Sequence, residues 1–193
     1  MLDHLQENTR DLHDEIESDN LGKKILDHSI DQHHYEIFLR QNFEVYKSVE
    51  DFINARYNIL PDSLKPFSGY TKTNLLASDI QGFSSLPLPS SFSIAGERTV
   101  AACVGRMYVL EGSMLGGLMM SKHLELCEKI NHIEVHHFYS GDGKEKSKRW
   151  KSFQEAVKAI TFNKEDREVA ARNAIHTFEL FKKAFDKNIF QNP

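Results

Sequence analysis

Cysteine is nearly absent from this 193-residue chain, which carries only Cys103 and Cys127. That excludes a disulfide scaffold, and no Cys-x-x-Cys pair exists to hold zinc or run thiol exchange. Tryptophan is rarer still, with Trp150 alone. Long apolar runs are missing, and none approaches the roughly 20 residues of a membrane span. An excess of positive charge is missing too: the net charge is −4, which argues against a nucleic-acid partner. The first residues, MLDHLQENTRDLHDEIE, are polar and acidic, unlike a secretion signal. No His-Glu-x-x-His, calcium-loop or phosphate-loop pattern occurs. The expectation is a soluble, reduced, cytoplasmic protein.

What is present is a helical pattern. Forty per cent of residues are hydrophobic, with 13 Phe and 6 Tyr, enough for a full core. Leu2, Leu5, Thr9, Leu12 and Ile16 recur three or four apart, on one face of a first helix. Tyr35, Phe38, Leu39, Phe43, Tyr46, Val49, Phe52 and Ile53 do the same in a second. A third segment, roughly 94 to 128, carries Val100, Val104, Met107, Tyr108 and Leu110. A fourth runs from about Lys144 to Ile160, and a last one uses Ala170, Ala174, Phe178, Phe181 and Phe185. Pro61 and Pro66, the stretch GFSSLPLPSSFS and the turn YSGDG separate these segments. The pattern implies an all-α fold of about six to eight helices, as one domain over 1–193.

Three glycines interrupt the third segment at Gly112, Gly116 and Gly117. Each costs about 1 kcal/mol relative to Ala inside a helix, so something must offset about 3 kcal/mol. A kink, a close helix crossing over Gly112 and Gly116, or a flat object against the backbone would each do so.

His13 sits at the edge of the apolar face of the first helix, with Thr9 one turn before it and Glu17 one turn after. A neutral imidazole offers a metal one lone pair and an acceptor one N–H, and Glu17 is placed to be that acceptor. An ordinary boundary histidine would look the same. The pairs His33-His34 and His136-His137 diverge by about 100° on a helix and make no natural two-ligand site. Cys103 and Cys127 read as core residues, and Trp150 as a packing anchor.

Thr9-x-x-x-His13-x-x-x-Glu17 together with Gly112-x-x-x-Gly116-Gly117 resembles the haem oxygenase family. YVLEGSMLGG looks like its bacterial branch often associated with phytochromes. FYSGDG before Trp150, and Thr177-Phe178 on the last helix, are similar to that branch as well. The resemblance implies a haem oxygenase fold, with haem between a proximal first helix and a Gly-kinked distal helix. It implies a haem-degrading oxidoreductase yielding biliverdin, carbon monoxide and iron from haem and O2. His13 would ligate the iron, supported by Thr9, Arg10 and Glu17. Gly112, Ser113 and Gly116 would form the distal side, with Gly117 alongside. Electrons would come from outside, from a ferredoxin, a flavodoxin or a reductase, since no flavin or iron–sulfur motif is present.

Two departures stand out. Ser113 occupies the place of an Asp that orders distal water in mammalian members, where Tyr46 falls in the same network. Gln6 and Glu7 stand where a propionate-binding Lys is common, which leaves that role to Arg10 or to the basic run Lys144, Lys146, Lys148, Arg149 and Lys151. Such a run is ordinarily a solvated helix face; it would equally steer an acidic electron donor. The alternatives are a haem-binding or haem-transfer protein without turnover and a haem-free relative on the same fold.

Overall fold

Apolar spacing on the first segment becomes α1 (Leu2–Ser18), with Leu5 and Thr9 buried and the charged side chains outward. The computed structural model describes residues 1–18 and 20–186, so the last seven positions of the expected 1–193 domain lie outside the described residues. After α1 come α2 (Gly22–Leu26), α3 (Gln32–Asn54), α4 (Thr71–Phe83), α5 (Val100–Leu124), α6 (Gly143–Lys158) and α7 (Lys164–Asp186). Three short 3-10 turns lie between them, and no strand occurs among the described residues. The chain is a single all-α domain.

Local caps explain most of the starts. Asp31 accepts the His34 amide at α3, Thr99 the Ala102 amide at α5, and Asp142 the Lys144 amide at α6. Asn163 and Asp166 cap α7 reciprocally, each side chain taking the other's backbone N–H. Helix α4 has no local cap. Its first amides are taken by the Glu50 carboxylate of α3, at 3.2 Å from Lys72 N and 3.1 Å from Thr73 N.

The third apolar segment is shorter than its expected 94 to 128. Residues 94–99 form an extended strap instead, because arginines claim its carbonyls. Arg56 donates to Gly96 O and Glu97 O, each at 3.1 Å, and Arg106 to Ala95 O at 3.4 Å. Both guanidiniums lie over the Phe52 ring, 3.4 and 4.2 Å from its centre.

Helix α5 is the axis of the fold. Ala101 to Met107 are all buried, so this half is enclosed on every side, with Arg106 its one charged side chain. It packs on α7 and α6, while α1 lies along α7 and α3 along α4 and α7. The α5–α7 crossing is made at Gly105, where a Cβ would stand 2.1 Å from Ala170 O. Cys103 and Cys127 are both buried and free, as expected of core thiols.

A part-buried pair joins α3 to the segment after α5: the Tyr35 phenol and His136 Nδ1 stand 2.7 Å apart. Burial holds His136 below its ordinary 6.5. The unfolded chain therefore takes up this proton first as pH falls. The ring's contribution to stability is complete above about 6.5 and is lost as pH falls through the lower folded value. Denaturant titrations at about pH 7.5 and pH 5.5 check this. The parent protein should lose stability relative to His136→Gln on acidification, and equal losses in the two would refute the assignment.

Candidate functional site

Thr9 is buried and donates to Leu5 O at 2.8 Å, so its side chain turns into the bundle. There it meets Tyr108 of α5, whose phenol is pushed up by burial, an effect that the Thr9 hydrogen bond opposes. His13 on α1 and Gly112 on α5 each follow this contact by one helical turn, about 6 Å along the axis. The pattern thus sets two candidate walls beside one shared contact.

The His13 wall is open to solvent. Its side chain is 51% exposed, with Nε2 3.4 Å from Glu17 and Nδ1 3.5 Å from Asp14. Both contacts are too long for strong hydrogen bonds, so the ring is free to present either nitrogen. On α7, Phe178 meets the ring edge-on at 6.0 Å between centroids. Arg10 is exposed beside Thr9.

The α5 wall changes character where the glycines begin. The helix continues unbroken to Leu124, but Ser113 and Gly116 are exposed. Among the described residues, a Cβ on Gly116 would meet nothing within 4 Å. On Gly112 it would meet the rim of the Trp150 ring at 3.8 Å, and on Gly117 the Tyr139 ring at 3.5 Å. Among the described residues, no backbone from another element comes within 4 Å of a Cβ at Gly112 or Gly116, although α6 lays Trp150 beside Gly112; the backbone-to-backbone crossing lies two turns earlier, at Gly105. Gly117 faces Tyr139 and Lys146, away from Gly116's open side.

Tyr46 and Ser113, 67 residues apart, are brought into contact, with Oη 2.5 Å from Oγ. Ser113 also donates to Leu110 O at 3.0 Å, which makes Tyr46 the donor in the pair. Burial pushes the Tyr46 phenol far above its ordinary 10.0, so it keeps its proton.

Helix α6 divides the basic run that sequence treats as one face. Lys144, Lys148 and Lys151 are exposed along an open groove of about 520 Å³, with Gly143 and Ser147. Lys146 turns inward to Tyr139 O at 2.9 Å. Arg149 turns inward to Glu111, Nε at 2.8 Å and Nη2 at 2.9 Å. Glu111, 1% exposed, also takes Lys72 Nζ at 2.6 Å. Breaking such a buried pair typically costs about 3–5 kcal/mol. Sequence reading passed over this cluster. The available signal was a lone acid inside the apolar stretch YVLEGSMLGG.

Trp150, beside Arg149, is half-buried. Its ring stacks on Phe153 at 5.6 Å and leans on Tyr108 at 5.7 Å. Among the described residues, no group of three His, Cys, Asp or Glu side chains is placed to hold a metal. A group needing one protein ligand fits what is present: a half-free imidazole on one wall and bare backbone on the other. No helix of the described residues is long and apolar enough to cross a membrane.

The family model described as heme oxygenase matches residues 1–187. No curated protein matches the chain. Among solved structures, the NO- and CO-bound heme oxygenase from Neisseria meningitidis matches with a TM-score of 0.70 and 20% identity, over 95% of this chain and 89% of that one. At that identity the likeness establishes the fold.

Proposed function

The chain belongs to the haem oxygenase family, and on that footing we propose that it binds haem between α1 and α5 and oxidises it to biliverdin, carbon monoxide and iron. The observation that carries this reading is Gly116. A mid-helix glycine costs about 1 kcal/mol, and nothing among the described residues lies where its Cβ would be. A flat ring laid on that face supplies the missing reason.

Bound haem supplies the iron at which O2 is activated and is itself the ring that is opened. His13 would offer one nitrogen to that iron, with Glu17 drawing in to take the other N–H and orient the ring. Phe178 limits how far the imidazole tilts. On α5, the uncovered backbone at Gly116 would set a low ceiling over the ring, with Gly112 one turn before it beside the Trp150 rim. Ser113 Oγ accepts a hydrogen bond from the Tyr46 phenol and donates one to Leu110 O. In that state it offers a distal water a lone pair, and it donates only after rotating away from Leu110. Lys144, Lys148 and Lys151, with Arg10, supply cations for propionates. The same exposed lysines suit an acidic donor such as a ferredoxin or flavodoxin, or a reductase. The whole chain is read as one such domain.

A second reading is haem binding without turnover, favoured by the commitment of the Ser113 proton to Leu110. Hemin titration followed by a reductant in air, with catalase present, separates the readings. A one-to-one Soret band that decays to a biliverdin spectrum is the expected result. A stable ferrous complex supports the second reading, and no Soret band overturns both.

A further inference from the structure

We propose that Glu111 is a positioning residue for the distal wall, acting through Arg149 to hold Trp150 over Gly112. The inference rests on the haem-oxidising reading above, since the wall it positions is the one facing haem.

Glu111 immediately precedes Gly112 on α5, and its carboxylate is 1% exposed. It joins three helices. Lys72 reaches it from α4 at 2.6 Å, and Arg149 from α6 through two nitrogens. The chain of charges extends to α3, where Glu50 receives the Lys72 and Thr73 amides. Signs alternate along it: Glu50, Lys72, Glu111, Arg149.

The paired donors of Arg149 fix its plane as well as its distance, as a single ammonium does not. The plane is held from the other side too, because the Phe67 ring lies 5.1 Å beneath the guanidinium. Trp150 is the next residue, so the register of its indole follows from Arg149. Its rim stands 3.8 Å from the position of the missing Gly112 Cβ. The space beside Gly112 is therefore set by an indole whose helix is clamped through Glu111. A methyl group at Gly112 would just fit; a shift of α6 by less than that contact distance would reshape the wall. Misplacement by about 1 Å far from the reacting atoms can cost about a hundredfold in rate.

The test uses the full chain and its only tryptophan. Glu111→Gln removes the charge and keeps the shape, and Arg149→Lys keeps the charge and removes the two-nitrogen contact. In haem-free protein with native circular dichroism, both variants should red-shift Trp150 emission and raise its quenching by acrylamide. Loaded with hemin, they should hold it within about threefold of the parent affinity while turnover falls about tenfold or more. Arg149→Lys folds if Glu111→Gln does not, because it leaves no buried charge unpaired. Unchanged Trp150 emission and quenching in a folded variant overturns the proposal, and so does a loss confined to hemin affinity. If the parent protein fails to degrade haem, the oxidising reading falls, while the haem-free fluorescence still decides whether Glu111 positions the indole.

Discussion

Replacing His13 with alanine should abolish haem turnover and leave the fold standing. The side chain is half-exposed; it meets Phe178, at the margin of the core, edge-on, and Asp14 and Glu17 at long range. Its removal should shift unfolding by no more than about 0.5 kcal/mol, the usual size for a surface change. The spectrum of added hemin should lose its axial-histidine character, and biliverdin formation should fall at least about a hundredfold, the scale expected when the single protein ligand is lost. Added imidazole should restore part of both, since the gap left at position 13 opens to solvent. A variant with parent spectrum and parent rate would move the iron ligand elsewhere.

The second large effect concerns stability and compares two glycines of one helix. Gly105→Ala should destabilise the protein by about 3 kcal/mol, the upper part of the range for overpacking. The added methyl would stand 2.1 Å from the Ala170 carbonyl oxygen, and backbone cannot rotate away as a side chain can. Gly116→Ala should do the opposite in haem-free protein, adding up to about 1 kcal/mol of helix propensity where nothing among the described residues is in the way. The same change should weaken hemin binding or slow its oxidation. Urea midpoints give the signs directly, and a destabilised Gly116→Ala would mean that its open face is filled by the protein itself.

These two glycines show what could be read in the sequence. Apolar spacing gives α1, α3, α5, α6 and α7, because each buries one stripe or, for α5, its whole first half. Helix α4 is invisible to that reading, since its N-terminal cap comes from Glu50, 22 residues away, and not from a neighbouring side chain. The start of α5 is misjudged for a similar reason. Ile94 continues the apolar period, but Arg56 and Arg106 hold that stretch extended. Of the candidate site, His13 and Gly116 stand out by helical spacing, while Ser113 and Tyr46 enter only through the family resemblance. Glu111 does not stand out, as its partners are 38 and 39 residues distant and Arg149 is hidden in a run of exposed lysines. Gly105 escaped notice as well, because no local pattern distinguishes a glycine that meets a backbone from one that meets open space.

Helix α5 ends up built like a bridge with one uncovered span. Its first half is clamped at Gly105 against Ala170 and enclosed by core on every side. Its far end is seated again, with Leu124 buried and His123 stacked on His28. Between the two supports, Ser113 and Gly116 stand exposed. A span held at both ends keeps its place when something is laid on its open side, so the fold fixes the height of that surface with no loop beneath it.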